Sequence, residues 1–299
     1  MTTVSKWDPD SDNLPKLRDL PKIPGAPEHA AWFWGSDDEL GRLNLLTPRR
    51  VIEAAQLIRT GERVGLNLPV EWPEPPFFGR TPFKHTVLKA GIKHKDGFIW
   101  YNNTTVEEIE GTSGRIGTNA WARRGIVGRG VLIDFYEFCG KSYDPFTPRK
   151  ITAEEIMACA KAQGVEFRYG DIFIVRTGFS EAYRRLNKTQ REEMSATAYL
   201  DLKFAGLSRS HDMVELLHDN YFSAVASDAP SFETWPMDEP EHLHHWLLPL
   251  WGSPIGELWD LEELAALCRK HNRYTFFLSS SPANVKGGVG SHSNVVAIF

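Results

Sequence analysis

The chain has 299 residues, of which 41% are apolar and 24% charged, with a formal net charge of -5. This is the composition of a soluble globular protein with enough apolar material for one sizeable α/β core. The charge balance offers no basic footprint for nucleic acid, and no apolar run approaches the ~20 residues of a membrane helix.

The first sixteen residues, MTTVSKWDPDSDNLPK, are polar and acidic and lack the apolar core of a secretory signal. Residues 1–30 read as an irregular arm, and 31–299 as the folded domain. Cys139, Cys159 and Cys268 are odd in number and share no metal or redox spacing. They read as reduced thiols of a cytoplasmic protein.

Thr47 and Pro48 suit the N-cap and first position of a helix carrying Val51, Ala54, Ala55 and Ile58 on one face, closed by Gly61. Residues 64–70 read as a strand. The Pro- and aromatic-rich loop that follows spaces Trp72, Phe77, Phe78 and Phe83 for neither a helix nor a strand. Such a cluster is satellite core or the wall of a pocket for a flat ligand. A short helix is expected over 119–124, a turn over 127–130 and a buried strand over 131–135, ended by Asp134. Arg123, Arg124 and Arg129 read as solvated.

Thr152 and Glu155 form a capping box for a helix with Ile156, Cys159, Ala160 and Gln163 on one face, ended by Gly164. Residues 172–176 read as a strand with a Gly170-Asp171 start and a Thr177-Gly178 exit. A polar helix is expected over 181–198, another helix over 210–219 and a buried strand over 223–226. Further on, Asp260 and Glu263 look like a second capping pair, ahead of the apolar face Leu261, Leu264, Ala265 and Cys268. The chain closes with two strands around a Gly-rich loop.

The chemistry concentrates between Asp228 and Glu257, where Asp228, Glu233, Asp238, His242, His244, His245 and Glu257 share one Trp- and Pro-rich segment. Histidine and glutamate, with an aspartate from elsewhere, are borderline ligands that suit Zn²⁺ or Mn²⁺. Such an ion polarises a carbonyl and acidifies a bound water. At helical spacing His242 and His245 share a face and His244 points elsewhere, so base and ligand roles can divide among them. Surface or core histidines are the alternative. There is no G-x-S-x-G elbow, no activated cysteine signature and no phosphate-binding glycine motif.

The string L-H-x-x-L-L-x-x-W-G-x-P-I-G-E, residues 243–257, resembles the C-terminal metal-ligand segment of the cyclase family. That family includes bacterial kynurenine formamidase and isatin hydrolase. The resemblance extends to W-G-x-D-D-E-L-G-x-L-N-L-L-T-P at 34–48, to residues 116–135, and to G-D-I-x-x-x-R-T-G at 170–178. It implies a single α/β domain of the swivelling β/β/α type, with a mixed sheet, helices outside and homo-oligomeric assembly. It implies hydrolysis of a small aryl formamide or cyclic amide, the chemistry of tryptophan catabolism, with a divalent Zn or Mn ion. His244 and Glu257 take ligand roles, His242 and His245 proton transfer, and Trp34, Trp72, Phe77 and Phe83 substrate contacts.

The resemblance breaks near residues 88–100. The family's H-x-G-T-H-x-D-x-P, or the Q-W-D-G-x-x-H of a branch, survives only as Asp96-Gly97-Phe98. Asp96, His94 and His85 are the candidate replacement ligands. A half-kept site with weak or absent metal binding is therefore expected. The other classes are a metal-poor relative that binds or cyclises a small natural product, and an inactive relative.

Overall fold

A computed structural model describes residues 6–35, 38–82, 119–236, 242–285 and 290–299. The strands are β1 (Arg63–Gly65), β2 (Ile126–Ile133), β3 (Lys150–Ile151), β4 (Ile172–Val175), β5 (Gly206–Leu207), β6 (Ala224–Ser227), β7 (Ile255–Gly256), β8 (Thr275–Ser280) and β9 (Val295–Ile298). Seven of them form one mixed sheet in the order β1-β9-β8-β2-β4-β6-β7. The half from β2 to β7 is parallel, and β1, β9, β8 and β2 pair antiparallel. β3 and β5 make a separate parallel pair. The expected α/β architecture with a mixed sheet is the one observed.

Both faces of the parallel half are covered, so β4 and β6 are buried throughout rather than alternating, and apolar except for Ser227. Val131, Ile133, Phe173, Val175 and Val225 point to one core with Ile156, Cys159, Met213 and Leu217. Leu132, Ile172, Ile174, Ala224 and Ala226 point to the other, with Leu264, Ala265, Cys268 and Phe276. The period-2 alternation of side chains is what divides these neighbours between two layers.

Local signals place the helix starts. Thr47 accepts the Arg50 N–H at the head of the helix Pro48–Ala55. Thr152 and Glu155 form the reciprocal capping box of the helix Ala153–Ala162. Asp260 departs from the expectation. The helix Glu262–His271 has Leu261 at its N-cap, one residue later than a cap at Asp260 requires; Asp260 still accepts the Glu262 N–H with one oxygen, at 3.4 Å, and pairs with Arg184 through the other.

Three further differences have physical causes. Residues 127–130 are strand and not turn, because glycines here serve close packing. A Cβ on Gly130 would lie 2.3 Å from the Phe276 ring of the neighbouring strand. The polar stretch after β4 splits into the helices Phe179–Arg185 and Lys188–Ala196, because Asn187 and Gln190 build a fresh capping box. Arg129 is not solvated, since its guanidinium forks onto buried Asp171 at 2.8 and 2.9 Å.

The N-terminal stretch is tied to the domain. Trp7 stacks on Phe33 at 4.1 Å, and the Leu17 N–H donates to Asp219 at 2.8 Å. Among the described residues no helix is long and apolar enough to cross a membrane.

Candidate metal and substrate site

Three successive pieces of chain after β6 build the site. Glu233 sits in the extended stretch beyond β6, bridged to Leu207 of β5. His244 lies in the single turn Leu243–His245, which leads into a wide π-turn, Trp246–Leu250. Pro249 supplies no N–H to an α-helical ladder there, and the Trp251 N–H reaches back to the Trp246 carbonyl at 3.1 Å. Glu257 follows β7 directly, and the Phe232 N–H holds its Oε1 at 2.9 Å. The N-terminal motif supports this segment. Arg42 donates its N–H to the Gly252 carbonyl at 3.0 Å, and a Cβ on Gly41 would lie 2.2 Å from that oxygen.

His244 stands between two carboxylates. Its Nδ1 is 2.8 Å from Glu233 Oε2, and its Nε2 is 3.4 Å from Glu257 Oε1. Glu233 is only 2% exposed. Burial opposes a charge on His244, but the bond to Glu233 and the negative charge of nearby Glu257 outweigh it and raise the imidazole from 6.5 to about 10. Burial likewise opposes charge on Glu233, yet its bond to His244 holds the carboxyl below its ordinary value. A buried carboxylate that fixes one ring nitrogen sets the tautomer and the direction of the other, which is how metal-ligating histidines are oriented.

Nε2 and Glu257 open onto a cleft of about 830 Å³ whose walls include Trp72, Trp121, Trp259 and His292. A Cβ on Gly256 would meet the Trp259 ring at 2.6 Å, so that close packing needs a glycine. Arg191 lies 4.9 Å from the Trp72 ring, and Tyr183 meets it edge-on at 5.6 Å, so this wall is braced from behind.

The structure brings His244, Glu257 and Trp72 together. It does not bring the other candidates with them. Phe77 is 2% exposed and packs into a satellite core with Phe179, Tyr183 and Phe204, which is the non-pocket reading of the aromatic loop. Trp34 is buried with Leu14, Leu45 and Tyr221. Its loop is a bonded turn in which Asp38 accepts from the Gly41 N–H and Asn44 Nδ2, each at 2.7 Å. His245 is exposed and His242 half-buried, and neither is among the residues lining the cleft. The helical-face pairing of these two fails because His242 is extended, outside the turn. Phe83, His85, His94 and Asp96 lie outside the described residues. Among the described residues no group of three or more His, Cys, Asp or Glu is arranged to hold a metal ion.

Sequence reasoning did not single out Glu233 as the partner of His244, or His292 as a residue of the cleft wall. Glu233 carried a signal, since it shares the acidic and histidine-rich segment. Nothing local distinguishes His292 in its Gly- and Ser-rich surroundings.

The model of the Cyclase family matches residues 93–234. A solved structure described as a novel cyclase is 29% identical, covers 89% of this chain and 98% of its own, and superposes with a TM-score of 0.74. Isatin hydrolase A from Ralstonia solanacearum is 16% identical over 64% of this chain and 67% of its own, with a TM-score of 0.45. Isatin hydrolase A from Labrenzia aggregata, bound to benzyl benzoate, is 13% identical over 83% and 97%, with a TM-score of 0.48. No curated protein matches the chain.

Proposed function

We propose that the chain is a cyclase-family, metal-dependent amide hydrolase of arylformamidase type, acting on a small aryl formamide or cyclic amide, a reading supported by the Cyclase model over residues 93–234 and by the solved cyclase structure of 29% identity. The observation that carries this reading is the 3.4 Å between His244 Nε2 and Glu257 Oε1. That is long for an N–H···O bond, which favours about 2.7–3.2 Å. Bonds of about 2.0–2.2 Å place neighbouring donor atoms of one tetrahedral ion roughly 3–3.6 Å apart, which is the observed separation.

One imidazole nitrogen and one carboxylate oxygen suit Zn²⁺ or Mn²⁺. The remaining ligands are assigned to Asp96, His94 or His85. A bound divalent ion would supply Lewis acidity at the amide carbonyl and a water acidified toward a pKa of about 7. Glu233 keeps Nδ1 engaged, so that Nε2 stays aimed into the cleft. Trp72 and Trp121 offer flat walls to an aromatic ring, and with Trp259 they displace water from it. Proton transfer is assigned to His292, because it lines the cleft and His242 and His245 do not. A place in tryptophan catabolism and homo-oligomeric assembly belong to the same reading.

Elemental analysis of the purified chain tests this, with Zn²⁺ and Mn²⁺ titrations of the native protein and of His244→Ala. The expected result is one saturable ion per chain, lost in the variant together with hydrolysis of formanilide. Absence of binding in both proteins would move the assignment to a metal-poor relative that binds or cyclises a small natural product, or to an inactive one.

A further inference from the structure

The helix Lys188–Ala196 buries none of its own residues. Ser195, Met194 and Arg191 tie it to the domain. Ser195 Oγ donates to the Pro76 carbonyl at 3.0 Å, Met194 packs on the satellite core, and Arg191 reaches the Trp72 loop. The Arg191 guanidinium lies 4.9 Å from the ring centroids of both Trp72 and Tyr183, and those two rings meet at 71°, so they form a V around it. Its Nη2 edge donates to the Tyr183 and Arg184 carbonyls at 3.4 and 3.5 Å, at the end of the preceding helix. Arg184 approaches the Trp72 ring as well, at 5.9 Å, and is itself held by Asp260. The Tyr183 hydroxyl fixes the loop two residues on, accepting the Glu74 N–H at 3.0 Å and donating to the Glu74 carbonyl at 3.1 Å.

A planar guanidinium stacks by its faces and bonds by its edge at the same time, which an ammonium does not. Tyr183 belongs to the buried satellite core with Phe77, Phe179 and Phe204, so the V is fixed on that side. Trp72 is the half-buried member, and it lines the cleft that His244 and Glu257 share. We propose that Arg191 is a positioning residue, which holds Trp72 in the orientation that makes its ring part of the cleft wall and acts on a guest only through that ring. Binding of a flat guest against Trp72 rests on the proposed function, and the placement of Trp72 does not.

The test uses the full chain labelled with 5-fluorotryptophan and read by fluorine NMR, with Trp72→Leu identifying the Trp72 resonance. That resonance should be single and sharp in the native chain and split or broadened in Arg191→Gln. Arg191→Lys, which keeps the charge without the plane, should fall between them. The resonances of Trp34 and Trp251, both buried elsewhere, should stay in place and so verify that the variants fold. Formanilide titrations give the second reading. Arg191→Gln should weaken formanilide binding about fivefold, the scale of a cation–π contact. The same substitution should have no further effect in the Trp72→Leu background, since residues that act through one another are not additive. A Trp72 resonance that stays single and sharp in Arg191→Gln overturns the proposal, and so does a loss of affinity that persists in Trp72→Leu. Failure of formanilide to bind the native chain removes the amide reading of the site, and the resonance then decides the role of Arg191 by itself.

Discussion

Two clusters of charge draw on residues that directly follow parallel strands, Arg176 after β4 and Glu257 after β7, and they differ in what surrounds them. Around Arg176 the cluster is closed. The guanidinium is 1% exposed and reaches Asp134 at 2.8 Å, Glu181 at 2.5 Å and Glu262 at 2.7 Å, while Arg269 takes the other oxygen of Asp134 at 3.0 Å. Beside it, Asp228 accepts from the Thr177 N–H at 2.6 Å and Oγ at 2.8 Å. Burial still pushes the Asp228 carboxyl up to about 6. Around His244 the cluster is open on one side, because Nε2 and Glu257 look into the cleft. The closed cluster spends its hydrogen-bonding capacity on other parts of the chain, whereas the open one keeps donor atoms for a guest.

Breaking the closed cluster should have the largest effect. Arg176→Ala removes one of the two arginines that neutralise fully buried Asp134, and takes a partner from Glu181 and Glu262. Loss of one member of a buried pair costs about 3–5 kcal/mol. The denaturant midpoint should fall accordingly, and a midpoint unchanged from the native chain would show that Arg269 alone neutralises Asp134.

A buried histidine with one neighbouring carboxylate, Asp219 at 3.0 Å from its Nδ1, sharpens the contrast with His244 and its two. His218 is fully buried, and burial, with the positive charge of Arg42, lowers its pKa from 6.5 to about 4. Its native pKa lies below the unfolded value, so the unfolded chain takes up the proton first. Stability from this group is therefore complete above pH 6.5 and declines as pH falls toward 4. That difference corresponds to about 3 kcal/mol. Urea midpoints at pH 7 and 4.5 should diverge more for the native chain than for His218→Gln.

At the open cluster, Glu233→Gln should weaken metal binding about 10- to 100-fold, the usual effect of losing the group that orients a histidine ligand. Metal titration measures it, and unchanged affinity would remove Glu233 from the site. The smallest effect belongs to an exposed local feature. Thr152→Ala deletes the capping-box hydroxyl that receives the Glu155 N–H at 3.2 Å, and should cost about 1 kcal/mol in thermal or chemical unfolding.

These differences track how much of the molecule was legible in the chain itself. The strands at 172–175 and 224–227, the caps at Thr47 and Thr152, and the segment holding His244 and Glu257 all depend on residues close in sequence. A capping hydroxyl reaches three residues, and a buried strand must be apolar wherever it lies. The L-H-x-x-L-L…P-I-G-E string therefore located two site residues. It did not single out Glu233 as the residue that orients His244, although eleven positions separate them, because the intervening chain is an irregular loop with no fixed period. Tertiary structure alone decided that Gly128 and Gly130 belong inside a strand, since the reason lies in Leu46 and Phe276 pressing on them. It alone joined Trp72, Arg80, Trp121, Trp259 and His292 around one cleft, and sent Phe77 and Trp34 into cores. Local hydrogen bonding is written in neighbouring residues. The meeting of distant loops depends on strand order and register, which no short motif encodes.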